Sequence, residues 1–144
     1  MTTFTAIAPT SSLTAFKSGT TLVLRPDGPR LDLDVAEQLL HRVESYVSAN
    51  QLINQGQGIT LLVDLQNVAF LDSKGLGALL SALKIASAHN GKLFLCSLQE
   101  PVRLLCEITK MDQVFTIFED HESFLRYSAN IPEGDRVGRP PITL

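Results

Sequence analysis

At 144 residues the chain suits one domain with short extensions, long enough to bury a core without disulfide or metal staples. Apolar residues make up 44% and charged residues 19%, a globular composition that excludes a disordered chain, and no run approaches the ~20 apolar residues of a membrane-spanning helix. The 12 basic and 15 acidic residues leave a net charge of −3, which argues against nucleic acid as the main partner, because phosphate binding needs a local basic excess.

The opening, "MTTFTAIAPTSSLTAF", has no basic start and no long apolar core, so it does not read as a signal peptide. A cytoplasmic protein is expected, with an N-terminal extension over 1–11 and a domain over 12–129. "LTAF" and "TTLVLRP" form a hairpin across Lys17-Ser18-Gly19. The loop "PDGPR" follows. "DVAEQLLHRVESYV" then sets Val35, Leu39, Val43 and Val47 at four-residue steps, widened by Leu40 and Tyr46. That is an amphipathic helix with Asp32 or Asp34 as its N-cap, ending in the loop "NQGQG".

"ITLLVDL" is almost wholly apolar, as a strand buried on both faces reads. After it, a buried-looking strand end at Phe70-Leu71 meets Asp72 and Ser73. "SKGLGALLSALKIASAHN" puts Leu76, Leu79, Leu80, Leu83 and Ala86 on one helical face and stops at Asn90-Gly91. The strand "KLFLCSL" comes next, then a helix in "EPVRLLCEITK" with Pro101 near its first position. A last strand, "VFTIF", and a last helix, "HESFLRYSA", precede a flexible tail over 130–144, "NIPEGDRVGRPPITL". The alternation predicts an α/β fold: a mixed, mostly parallel sheet of four to five strands, its first pair antiparallel, covered by about four helices. In such sheets function gathers at the carboxyl ends of the strands.

Cys96 and Cys106 belong to no C-x-x-C pair or His/Cys cluster, so both read as reduced core residues; a disulfide between them has no support. No metal site and no cofactor is expected. In "FLDSKGLGALL" a serine stands beside a carboxylate, and two glycines sit inside an apolar helix. By residue type alone, Ser73 is a helix cap, a nucleophile or a hydroxyl that another protein modifies. Gly75 and Gly77 each weaken a helix by about 1 kcal/mol against alanine. They allow tight packing, the plainer account of Gly77, or keep the helix start open to a partner.

The run "VDLQNVAFLDSKGLGALL", in this order of elements, resembles the STAS domain, of the bacterial anti-sigma factor antagonist type. That family's mark is an apolar strand, an acidic residue, then D-S-[ST]-G-L-G before a helix. Asp64, Asp72, Ser73, Gly75, Leu76 and Gly77 match it, and Gly28, Leu31, Asp32 and Ala36 echo its upstream pattern with one residue of extra spacing. The resemblance implies that Ser73 is phosphorylated by a serine kinase that is also the anti-sigma factor. A PP2C-type phosphatase then reverses it, and the chain is a regulator of transcription that is monomeric or weakly dimeric. It also implies a partner-binding surface of Asp32, Asp34, Asp72, Ser73, Lys74, Gly75, Leu76 and Gly77. Lys74 departs from the family, which often has Ser or Thr there. A STAS scaffold or ligand-sensing module that is not phosphorylated is the rival reading. A hydrolase with Ser73 as nucleophile lacks a partner histidine, since His41 is mid-helix, His89 ends a helix and His121 starts another.

Overall fold

A computed structural model describes residues 12–54 and 58–130. The N-terminal extension over 1–11, most of the "NQGQG" loop and the tail from 131 onward lie outside the described residues. Strands β1 (Leu13–Ser18) and β2 (Thr21–Pro26) fold back on each other in antiparallel register. Gly19 turns the chain between them at φ +64°, a conformation that glycine takes without a steric penalty. There follow β3 (Arg30–Leu31), α1 (Leu33–Asn54), β4 (Thr60–Asp64), β5 (Phe70–Leu71) and α2 (Ser73–Ala88). The chain continues through β6 (Lys92–Cys96), α3 (Glu100–Ile108), a 3-10 turn (Met111–Gln113), β7 (Thr116–Phe118) and α4 (His121–Asn130).

The main sheet runs β1-β2-β4-β6-β7, and every pairing after the first is parallel. Its central strand explains the unbroken apolar run. Leu61, Val63 and Leu65 enter the core shared with Val35, Leu39 and Val43 of α1, Leu79 and Ala82 of α2 and Val102 of α3. Leu62 points the other way, to Phe94, Phe118 and Phe124 under α4. There the ring of Phe94 lies 5.6 Å from that of Phe118 and 5.4 Å from that of Phe124, separations at which tilted aromatic rings attract. The hydrophobic stripe of α1 is buried as its spacing predicts.

Several elements differ from the sequence reading. The loop "PDGPR" contains β3, which pairs with β5 as a separate two-stranded parallel sheet. The buried face of α2 is Gly75, Ala78, Leu79, Ala82 and Ala86, while Leu76, Leu80 and Leu83 are half-buried. Small side chains point inward because α2 packs closely on α1 and β6; the larger leucines fill the flanks. At the end of α2 it is Asn90, at φ +62°, that takes the left-handed conformation. Gly91 serves close approach: a Cβ there would stand 2.7 Å from Ile59 Cγ1 and 2.8 Å from the Ile59 carbonyl. The last strand is shorter than "VFTIF", since Val114 closes the 3-10 turn and is exposed.

Both cysteines are free and buried. Burial, with the Asp64 carboxylate nearby, pushes the Cys96 thiol up to about 12, and burial raises Cys106 as well. The reactive thiolate is therefore scarce at neutral pH. A thiol reagent such as Ellman's reagent should label neither cysteine in the folded protein at pH 7.5 and both in denaturant. Rapid labelling of the native chain would contradict this packing.

Candidate functional site

Two strand-to-helix junctions lie side by side. β3 and β5 are in parallel register, Arg30 opposite Phe70 and Leu31 opposite Leu71. The Pro29 carbonyl accepts hydrogen bonds from the amides of Ala69 (2.8 Å) and Phe70 (2.9 Å). Each two-residue strand then meets an aspartate and a helix. Asp32 accepts the Val35 amide at 3.3 Å, and Asp72 accepts the Gly75 amide at 2.8 Å. The carbonyls of the same two aspartates accept the amides of Ala36 (2.8 Å) and Leu76 (2.9 Å). Of the two candidate caps for α1, Asp32 therefore fills the role, and Asp34 stands exposed in the first turn.

The strand period of two decides what faces outward. Leu31 turns in and is 1% exposed, while Phe70 turns out and is 57% exposed. The strand end at Phe70 is thus not buried, because Phe70 and its paired residue Arg30 fall on the outward side of the two strands. Beyond the caps, Ser73 begins α2 and is exposed, and its hydroxyl has no hydrogen-bond partner among the described residues. The capping role open to Ser73 in the sequence belongs to Asp72, in extended conformation at φ −96° and ψ −175°. Lys74 is exposed beside it and Leu76 is half-buried.

The two glycines separate cleanly. Gly75 is buried, and a Cβ there would collide with the Leu31 carbonyl and stand 2.8 Å from Leu71 Cδ1. It is the packing residue that joins the two junctions. Gly77 is exposed, and a Cβ would meet nothing within 4 Å. The packing account of Gly77 is therefore wrong; the close approach occurs one half-turn earlier.

A polar chain anchored on one buried carboxylate holds the loop that leads to β5. Asp64 is fully buried, and its carboxylate accepts from Arg25 Nε (3.2 Å), the Gln66 amide (3.1 Å) and Gln66 Nε2 (2.9 Å). Gln99 Nε2 donates to the Gln66 carbonyl at 2.7 Å, and Asn67 Nδ2 donates to the Pro26 carbonyl at 3.3 Å. With three donors on one buried carboxylate, the loop has a fixed starting point. Asp64 is thereby engaged away from Asp72. Among the described residues no group of three or more His, Cys, Asp or Glu could hold a metal ion.

The histidines stand apart from Ser73. His89 ends α2, sixteen residues along and so roughly 24 Å away, with Nδ1 2.9 Å from the Ile85 carbonyl. His121 starts α4 on the other face of the sheet, and its ring lies 6.3 Å from Phe16. His41 is exposed within α1. Among the described residues no hydrogen bond joins the Ser73 hydroxyl to any of these histidines, the contact by which a base activates a serine nucleophile. The ion pair of Arg25 with Asp64 and the outward Phe70 were missed by sequence reasoning. The former joins residues 39 positions apart, and no local pattern marks it. The latter was legible only through the pairing of two-residue strands.

The STAS domain family matches residues 12–124. An anti-sigma F factor antagonist of Paenibacillus polymyxa is 25% identical over 76 residues, 53% of this chain and 65% of that protein. The chain thus matches a little under two thirds of that relative's length. An anti-sigma-B factor antagonist of Listeria monocytogenes is 28% identical over 92 residues, 63% of this chain and 81% of the relative. The structure of the anti-sigma factor antagonist SpoIIAA in its unphosphorylated form is 19% identical and covers 83% of this chain and 99% of that one, at a TM-score of 0.64. The phosphorylated form of the Bacillus protein is likewise 19% identical over 79% of this chain and 97% of that one, at a TM-score of 0.59. At such identities the likeness shows the shared fold. No helix among the described residues is long and apolar enough to cross a membrane.

Urea unfolding separates the roles at this junction. Asp72→Ala should lower stability by about 1 kcal/mol through the lost cap, while Ser73→Ala stays within about 0.5 kcal/mol of the parent. Gly75→Ala should cost about 1–3 kcal/mol by overpacking, and Gly77→Ala should raise stability by up to about 1 kcal/mol. A larger loss from Ser73→Ala than from Asp72→Ala, or a loss from Gly77→Ala, would overturn these assignments.

Proposed function

The chain belongs to the STAS domain family, and on that premise we propose that it is an anti-sigma factor antagonist, a binding protein whose docking is switched by phosphorylation of Ser73. The observation that carries this reading is the free hydroxyl of Ser73, exposed at a helix start whose cap is another residue. The curated relatives named as antagonists of anti-sigma factors support the partner class. The partner is then an anti-sigma factor that is also a serine kinase, and a PP2C-type phosphatase restores the hydroxyl. Binding the unphosphorylated chain occupies the anti-sigma factor and frees a sigma factor, so transcription is the output. The chain is substrate and ligand in this scheme, and the chemistry is the partner's.

The physics of the switch follows from charge. A phosphate adds about −1.5 to −2 charges near pH 7. The dipole at the start of α2 tolerates an anion, Lys74 beside it is favourable, and Asp72 opposes it. The fold therefore accommodates the group with little rearrangement. A partner surface shaped for a neutral hydroxyl does not: a close like charge at an effective dielectric near 20 costs roughly 3–4 kcal/mol. That corresponds to about two to three orders of magnitude in affinity. We assign Asp32, Asp34, Asp72, Lys74, Gly75, Leu76 and Gly77, which lie at the two paired junctions, to the docking surface; for buried Gly75 the contribution is to seat the helix start on Leu31.

Mass spectrometry after incubation with ATP and an extract of the protein's own cells tests the reading. The expected result is one phosphate, on Ser73, absent from Ser73→Ala and removed by a PP2C-type phosphatase. A chain that stays unmodified while other proteins in the extract are phosphorylated would contradict it and favour an unphosphorylated scaffold or ligand-sensing module.

A further inference from the structure

Two exposed apolar side chains belong to the paired junctions that lead into α1 and α2. Phe70 is 57% exposed and Leu33 is 50% exposed. The inward places beside them are taken by Leu31, in the core, and Leu71, packed against it. Parallel pairing brings the two segments together: Arg30-Leu31-Asp32-Leu33 runs beside Phe70-Leu71-Asp72-Ser73 in the same direction. Leu33 thus occupies on α1 the place that Ser73 occupies on α2. The Arg30 guanidinium lies over the Phe70 ring, 5.2 Å from its centroid. That cation–π contact restrains the exposed ring before any partner arrives, and a restrained aromatic loses less entropy on binding.

We infer that Phe70 and Leu33 are the apolar anchor of the docking surface for the protein partner that reads Ser73, an inference that rests on the reading above. A standard interface buries roughly 800 Å² on each partner, a disc about 16 Å in radius. Phe70 is three residues from Ser73, at most about 10 Å along extended chain, so a partner centred on Ser73 covers it. Aromatic side chains near the centre of an interface commonly carry much of its binding energy. Around this pair stand the exposed carboxylates of Asp32, Asp34 and Asp72, against the cations of Arg30 and Lys74. The partner is therefore a protein with an apolar socket for an aromatic ring and a mainly basic rim. Ser73 then switches a surface whose grip comes from its neighbours.

The test is the initial rate of Ser73 phosphorylation in an ATP-supplied extract of the protein's own cells, with the chain below saturation. Phe70→Ala should slow it by about tenfold or more and Leu33→Ala by several-fold. Phe70→Leu should fall between Phe70→Ala and the parent. Leu125→Ala, which removes an exposed leucine of α4 on the opposite face of the sheet, should leave the rate unchanged. Thermal melting of Phe70→Ala should stay within about 3 °C of the parent; if it does not, Phe70→Leu and Leu33→Ala decide the matter. A phosphorylated parent with Phe70→Ala and Leu33→Ala rates within about twofold of it overturns the anchor and leaves the Ser73 switch standing. A parent that is not phosphorylated removes the switch, and the anchor with it.

Discussion

The Asp72 carboxylate holds the Gly75 amide at 2.8 Å, and that bond relieves Ser73 of the task that a serine at a helix start usually performs. The hydroxyl is left exposed and unengaged among the described residues. A capping serine would lose its bond when modified, and the helix start would fray with it. Here the cap and the displayed hydroxyl are adjacent but separate residues. On the proposed reading, phosphorylation of Ser73 changes what docks on the molecule without first unmaking the helix that presents it.

That separation depends on a rigid frame. Gly75 lets the first turn of α2 lie against the Leu31 backbone, so the two junctions form one unit. The buried carboxylate of Asp64, held by Arg25 and Gln66, ties the loop before β5 to the end of the central strand. From that strand the path to Ser73 is short and satisfied by hydrogen bonds at Gln66, Asn67, Val68, Ala69 and Phe70. Few soft links remain between the sheet and the hydroxyl, so the site's geometry is set by the core.

The fold was largely legible in the sequence because its strongest signals are periodic. The four-residue steps of α1 and the unbroken apolar run of β4 predict elements that the structure shows. What was not legible came from pairing between distant short segments. Two residues each at Arg30–Leu31 and Phe70–Leu71 carry no period of their own, yet their pairing turns Phe70 outward and gives Leu33 and Ser73 equivalent places, two residues past the end of each paired strand. The choice between Gly75 and Gly77 as packing residue likewise needed the position of the Leu31 carbonyl, 44 residues earlier than Gly75. Asp72 and Ser73 are both good caps by residue type, so composition alone left the cap undecided. The family motif picked out the stretch, and the local hydrogen bonds divided the labour within it.

The central claim is that Ser73 is a displayed group on a frame that does not depend on it. It is tested most directly by comparing amide NMR spectra of the unmodified chain and the chain carrying phosphoserine at position 73. The account predicts shift changes confined to residues near the two junctions, about 30–36 and 70–78, with the rest of the spectrum superimposable and the helical content unchanged. Changes spread across β4, β6 and α4, or loss of the amide signals of the first turn of α2, would contradict it.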